Sequence, residues 1–135
     1  MTTSLTLAVG RTGATCFYAG WVGFALFGTV AYLEGNADVG YAVFHIVVAA
    51  ALCAWFAKTT GRAAPIVGAV LGTLYLLQMI VFVSSGFTSD DPGSVTTRVA
   101  DGAGLLAAVL TLVGAGWALR RRRSPALDQR RATTA

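Results

Sequence analysis

Residues 65–86 read PIVGAVLGTLYLLQMIVFVSSG, a run of twenty-two residues without one charged side chain. A helix rises 1.5 Å per residue, so this run covers about 33 Å. Crossing the hydrocarbon core of a bilayer takes roughly 20 apolar residues. Three other stretches have the same character: 12–33, 39–57 and 99–119. The first carries no charge, the second only His45 and the fourth only Asp101 near its start. The connections between them, 34–38, 58–64 and 87–98, are short and force neighbouring helices to run antiparallel. Gly35-Asn36 and Asp91-Pro92-Gly93 carry turn residues. Pro65 suits a helix start, where its missing N–H costs nothing. The expected fold is all-α: an integral membrane four-helix bundle, up-down-up-down, with residues 1–11 as an N-terminal segment and 120–135 as a basic, disordered tail.

Composition agrees. The chain has 135 residues, of which 56% are hydrophobic and 12% charged, and its mean hydropathy is +0.68. Soluble domains carry about 25% charged residues, so this chain has too few to cover a soluble surface. The net charge of +4 does not point to nucleic acid, because aromatic stacking platforms interleaved with basic residues are missing. Nine of the ten basic residues are Arg, which with the wealth of Ala, Val and Gly fits a GC-rich bacterial genome.

Charge sets the expected orientation. Cytoplasmic loops hold the excess of Lys and Arg. With both termini inside, the inner face carries Arg11, Lys58, Arg62, Arg120, Arg121, Arg122, Arg123, Arg130 and Arg131, and Arg98 is the lone exception. The outer face then carries Glu34, Asp38, Asp90, Asp91 and Asp101. The location this implies is a bacterial inner membrane, with both termini cytoplasmic. Residues 12–33 are too long for a signal-peptide core and no basic segment precedes Arg11, so the first helix is expected to be retained.

Ionisable groups at membrane depth are costly, so each is a functional candidate. His45, Gln78 and Asp101 all fall in the outer half on this topology. Tyr41 stands four residues before His45, and Tyr75 three before Gln78, so each pair shares a helix face. The candidate site is therefore a polar outer pocket of His45, Gln78, Asp101, Tyr41 and Tyr75. The same residues have plainer uses. His45 and Gln78 can hydrogen-bond between helices simply to hold the bundle, and Asp101 can cap the fourth helix or pair with Arg98.

Gly68 and Gly72 form a GxxxG, and Ala100, Gly104 and Ala108 repeat the spacing, as in ridges where helices approach closely. Cys16 and Cys53 have no CxxC partner and read as packing residues. Trp55, Trp117, Tyr32 and Tyr41 read as interfacial anchors, and Trp21 as an interior residue. The run from Arg120 to Arg123 is expected to fix topology and to meet anionic lipid head groups, at about 1 kcal/mol per charge.

The pattern Tyr41-Ala42-Val43-Phe44-His45, with Val99-Ala100-Asp101-Gly102, resembles the small four-helix membrane proteins of unknown function common in actinobacteria. Each half of those proteins carries an Asn/Asp-and-His motif near the outer side. The resemblance covers Arg11 to Arg120. Leu105 stands where that family places its second His, and His45 lacks an Asn partner in the first half. The resemblance implies the fold and carries no established activity.

No catalytic residue, metal set or resident cofactor is expected. The favoured function is a non-enzymatic accessory or structural membrane subunit, partnered by lipid and by further copies or a larger membrane complex. Two alternatives stay open. One is a small oligomeric transporter or proton-linked carrier. The other is a quinone- or haem-binding anchor of a redox complex, with His45, Gln78 and Tyr75 facing the cofactor; a lone His leaves a haem's second axial position to Met79 or to a partner.

Overall fold

The computed structural model describes residues 2–88, 95–122 and 133–134, and it contains no strand among them. Four helices follow one another: α1 (Thr2–Leu33), α2 (Val39–Lys58), α3 (Ala63–Thr88) and α4 (Val95–Arg121). Each contains a stretch long and apolar enough to cross a membrane: Arg11–Leu33, Val39–Lys58, Ala63–Ser84 and Thr97–Arg121.

Helix ends depart from hydropathy edges, because polar residues continue a helix wherever nothing stops it. Residues 2–11 contain no proline and belong to α1 rather than to a separate terminal segment. Pro65 is the third residue of α3, not its first, yet it still lies in the first turn, where an N–H would have no partner within the helix to lose. α4 begins at Val95, so Asp101 lies seven residues into the helix and is not its cap. The expected turn at Asp91-Pro92-Gly93, Arg123 and residues 124–132 of the tail lie outside the described residues.

Two ends have well-defined stops. After α1 the chain turns through Gly35 at φ 74°, a left-handed conformation that favours glycine. Gly35 N–H donates to Tyr32 O at 3.0 Å and Asn36 N–H to Ala31 O at 2.9 Å, the paired bonds of a Schellman stop. At the start of α2 the Asp38 carboxylate accepts from Tyr41 N–H at 2.8 Å, a cap worth about 1 kcal/mol.

The helices pack in chain order around the bundle, with α4 closing the round against α1. Contact is most extensive between α1 and α4, next between α3 and α4 and between α1 and α2, and sparse between α2 and α3. The round is therefore α2–α1–α4–α3, with a loose seam where α2 meets α3 despite the short link joining them. At the α1–α4 crossing the backbones nearly touch. A Cβ on Gly20 would lie 2.5 Å from Thr111 N and 2.8 Å from Ala107 O, and one on Gly114 would lie 2.6 Å from Phe17 Cα. Gly68 and Gly72 serve inside the bundle too: the first makes room for Phe17, the second for Thr111 and Leu112.

The core combines large residues from α1 with small ones from α4. Phe17, Trp21, Phe24 and Phe27 fill the middle, and Ala107, Ala108, Ala115 and Ala118 lie buried against them. Large apolar side chains such as Leu26, Phe44, Val81 and Leu106 point outward.

One end of the bundle is closed by arginines. Arg122 donates to Gly61 O at 2.8 Å and to Phe56 O at 3.1 Å, and its guanidinium lies 4.3 Å above the Phe56 ring. Arg62 donates to Leu119 O at 3.0 Å. Two of these carbonyls, Phe56 O and Leu119 O, lie in the last turns of α2 and α4, where the helix dipole favours cations, and Gly61 O lies in the loop between α2 and α3.

Substituting Gly20→Ala forces the α1–α4 crossing apart, and overpacking of this kind costs about 1–3 kcal/mol. Gly116 has nothing within 4 Å of its would-be Cβ, so Gly116→Ala should be neutral or slightly stabilising. Unfolding both variants by SDS titration in mixed micelles measures the contrast.

Candidate functional site

The site begins with the cap of α2. Asp38 fixes the first turn by holding Tyr41 N–H. One turn further on, His45 Nδ1 lies 2.8 Å from Tyr41 O. A carbonyl can only accept, so Nδ1 carries the proton and Nε2 of the neutral ring is left as an acceptor. The Tyr41 and His45 rings lie 4.1 Å apart. Across the loose seam, Gln78 Nε2 donates to Tyr41 Oη at 2.8 Å. Tyr41 therefore links His45 on α2 to Gln78 on α3, and this bond ties together two helices that otherwise touch little.

Deeper in, Phe24 of α1 is the hub. Its ring stacks on His45 at 4.2 Å and 28°. It meets Tyr75 edge-on at 4.6 Å and Trp21 edge-on at 5.2 Å. Phe27 sits 6.3 Å from both His45 and Tyr75. Glycines on two helices allow this closeness. A Cβ on Gly28 would lie 2.6 Å from His45 Cβ and Cγ, and one on Gly104 would lie 3.2 Å from Tyr75 Oη beside Met79 Sδ.

Three polar atoms in this nest are buried and have no hydrogen-bond partner among the described residues: Trp21 Nε1, His45 Nε2 and Tyr75 Oη. Trp21 is 0% exposed, and His45 and Tyr75 are each 2% exposed. Leaving a buried polar group unsatisfied costs about 1–3 kcal/mol; Trp21 Nε1 lies toward Gly68 of α3 and Tyr75 Oη toward Gly104 of α4. Thr111, the other buried polar residue, bonds back to Ala107 O at 3.0 Å within its own helix.

The five residues singled out by the sequence thus separate. Tyr41, His45 and Gln78 form one bonded group. Tyr75 meets it through the rings of Phe24 and Phe27 and lies within electrostatic reach of Tyr41. Asp101 makes no hydrogen bond or ring contact with the other four among the described residues; its electrostatic neighbour is Glu34, whose carboxylate accepts from Thr97 Oγ1 at 3.2 Å and Asn36 Nδ2 at 3.4 Å. Tyr41 is half-buried and bonded inside the bundle, not a free interfacial anchor, whereas Tyr32 is exposed. Trp21 and Phe24 are the residues that sequence reasoning left out of the site. Trp21 was expected inside, but an interior aromatic carries no mark of a site until its polar atom is seen unpartnered.

At the opposite end, the four-arginine run divides. Arg120 is exposed, Arg121 lies 4.9 Å over the Trp117 ring, and Arg122 is held by the two carbonyls. Arg122 is thereby a bundle clasp rather than a free head-group ligand. Cys16 and Cys53 are half-buried free thiols. Among the described residues no three His, Cys, Asp or Glu side chains gather as a metal site would need.

No protein-family model matches this chain, and no curated protein and no solved structure is similar enough to it to count as a match.

A double-mutant cycle tests the Tyr41–Gln78 bridge. Tyr41→Phe and Gln78→Leu should each destabilise the protein, with a coupling of about 0.6 kcal/mol and at most about 1.7, as for bonds between helices in lipid. Asp101→Asn combined with Tyr41→Phe should show no coupling. SDS-titration unfolding reads all of these.

Proposed function

We propose that this chain is a multi-pass membrane protein with both termini in the cytoplasm, acting as a non-enzymatic accessory or structural subunit of a larger membrane assembly. The observation that carries this reading is the apolar outer surface. Large apolar residues face outward on all four helices, while His45 and Thr111 lie buried and Gln78 bonds inward to Tyr41. Lipid is the solvent that suits such a surface.

The charges support the orientation. Lys58, Arg62 and Arg120 to Arg122 gather at one end, and Glu34, Asp38 and Asp101 at the other. Excess basic charge belongs on the cytoplasmic side. Exposed Arg120 and Arg121 then face anionic head groups, and the basic tail continues into the cytoplasm. A bacterial inner membrane fits this arrangement. Kinship with the small actinobacterial four-helix proteins is proposed on the Tyr41-to-His45 and Asp101 pattern alone.

Each helix runs unbroken through its apolar stretch. Carriers usually build their binding site from helices interrupted near the midplane. Continuous helices and interlocked aromatic rings support a packing role over a carrier role.

Topology reporters test the orientation. A C-terminal fluorescent-protein fusion should glow while a C-terminal alkaline phosphatase fusion stays inactive, and a phosphatase fused after Asn36 should be active. The opposite pattern overturns the orientation. Gentle purification after in-cell cross-linking should recover a stoichiometric membrane partner. A chain that purifies alone and drives cation or proton flux in liposomes would replace the subunit reading with the carrier reading.

A further inference from the structure

The seam between α2 and α3 is wedged from inside by α1. Phe17 stacks on Phe56 of α2 at 4.1 Å and 18°. The same ring takes the space that a Cβ on Gly68 of α3 would need, with Phe17 Cε2 2.6 Å from that position. A ring seated between two helices keeps them apart, in keeping with their sparse contact. The Tyr41–Gln78 bond marks which flanks look at each other across the gap. Residues seven apart share a helix face, so Val48 and Trp55 continue the flank of Tyr41 on α2. Leu71 and Val67 continue the flank of Gln78 on α3. Val48, Leu71 and Val67 are half-buried, and Trp55 is 39% exposed. The seam is therefore an apolar groove with Phe17 as its floor. It is tied shut at one end by Tyr41 and Gln78 and runs at the other toward the α2–α3 loop.

That second end is basic. Lys58 is the last residue of α2, and Arg62 directly precedes α3. Arg122 bonds both Phe56 O and Gly61 O, so the chain between them, with Lys58 on it, is drawn into one tight bend. Arg62 spends one N–H donor on Leu119 O and keeps the rest. Lys58 makes no hydrogen bond or ion pair among the described residues. The described acids, Glu34, Asp38 and Asp101, all stand at the opposite end. From Lys58 to Val48 is ten residues, about 15 Å, half of a hydrocarbon core of roughly 30 Å. The groove has the length of one leaflet, a cationic mouth and apolar walls.

We propose that the α2–α3 groove holds one anionic phospholipid, its phosphodiester on Lys58 and Arg62 and an acyl chain laid against Val48, Trp55, Val67 and Leu71. The phosphate accepts charge-assisted bonds from the donors that Leu119 O leaves on Arg62. The acyl chain joins α2 to α3 where protein contact is sparse. A second copy of this chain suits the groove less well. Lying parallel in the same membrane, it would bring its own basic end to the same mouth, where like charges repel.

This inference rests on the membrane location proposed above. Carbonate extraction of cell membranes reads location, and lipid binding is read separately on the full chain in reconstituted lipid discs. The discs are made of phosphatidylcholine with an increasing fraction of phosphatidylglycerol brominated on its acyl chain, and quenching of tryptophan fluorescence is followed. Brominated phosphatidylcholine is the comparison lipid. Inorganic phosphate, added in excess, tests whether the anion alone competes.

Quenching should saturate with phosphatidylglycerol at a mole fraction at least about tenfold lower than with phosphatidylcholine, and phosphate should not reverse it. Trp55→Phe should lose the saturable part. Lys58→Gln should weaken the preference at least about fivefold, and adding Arg62→Gln should abolish it. Lys58→Gln breaks no bond within the protein, so it decides the matter even where the double variant does not fold. The proposal fails if the two lipids quench alike, if phosphate displaces the lipid, or if Trp55→Phe keeps the saturable quenching. It also fails if Lys58→Gln leaves the preference unchanged. Cross-linking of two copies through Leu74→Cys, exposed beside the α3 wall, with Cys16→Ala and Cys53→Ala, would seat a second chain there and overturn it as well.

Discussion

The bundle depends on how closely α1 and α4 approach. In the lipid setting proposed for them, two helices gain little from hiding apolar surface on each other, since lipid tails are as apolar as leucine. What holds them is van der Waals contact between backbones, and that requires small residues. Gly20 against Thr111 and Ala107, and Gly114 against the backbone of Phe17, supply it. Once α1 is pressed against α4 along its glycine face, its aromatic face points to the centre. From there Phe17, Trp21, Phe24 and Phe27 reach all the other helices. The seam between α2 and α3 is the counterpart: with the middle filled from α1, these two helices have little left to share beyond Tyr41 and Gln78.

The four spans were legible because absence of charge over twenty or so residues is an unambiguous signal. Their ends were less so. Hydropathy measures preference for lipid and is silent on where a helix stops, so Thr2 to Arg11 and Val95 to Arg98 look like flanks and are helix. The Gly35 stop was visible as a turn, since left-handed backbone calls for glycine. The small-residue spacing of Gly68 and Gly72 was also visible, but the tighter contacts fall on Gly20 and Gly114. A chain with sixteen glycines gives no local sign of which ones meet a neighbouring backbone.

The polar residues show the same limit. His45, Gln78 and Tyr41 stood out because polar groups in an apolar run are rare, and helix direction alone put them at similar depth. That Tyr41 would link the other two depends on α2 and α3 facing each other across a narrow gap, which is a matter of packing. Asp101 shares their depth but lies on a helix that scarcely meets α2. Arg122 was hidden for a different reason. Within a four-arginine run, one member that bonds two carbonyls has the same sequence appearance as its solvent-facing neighbours.

The α1–α4 crossing also imposes an order in time. Of the four helices described, its partners are the two most separated in sequence. Contacts of long sequence separation form late, and a chain made from its N-terminus holds α1 ready before α4 exists. Throughout that interval Gly13, Gly20 and Gly23 present a bare backbone stripe with no native cover. The Arg122 clasp closes later still, because Arg122 follows α4 in the chain. Until α4 is made, the glycine face of α1 is open to other helices, and synthesis of α4 is what retires it.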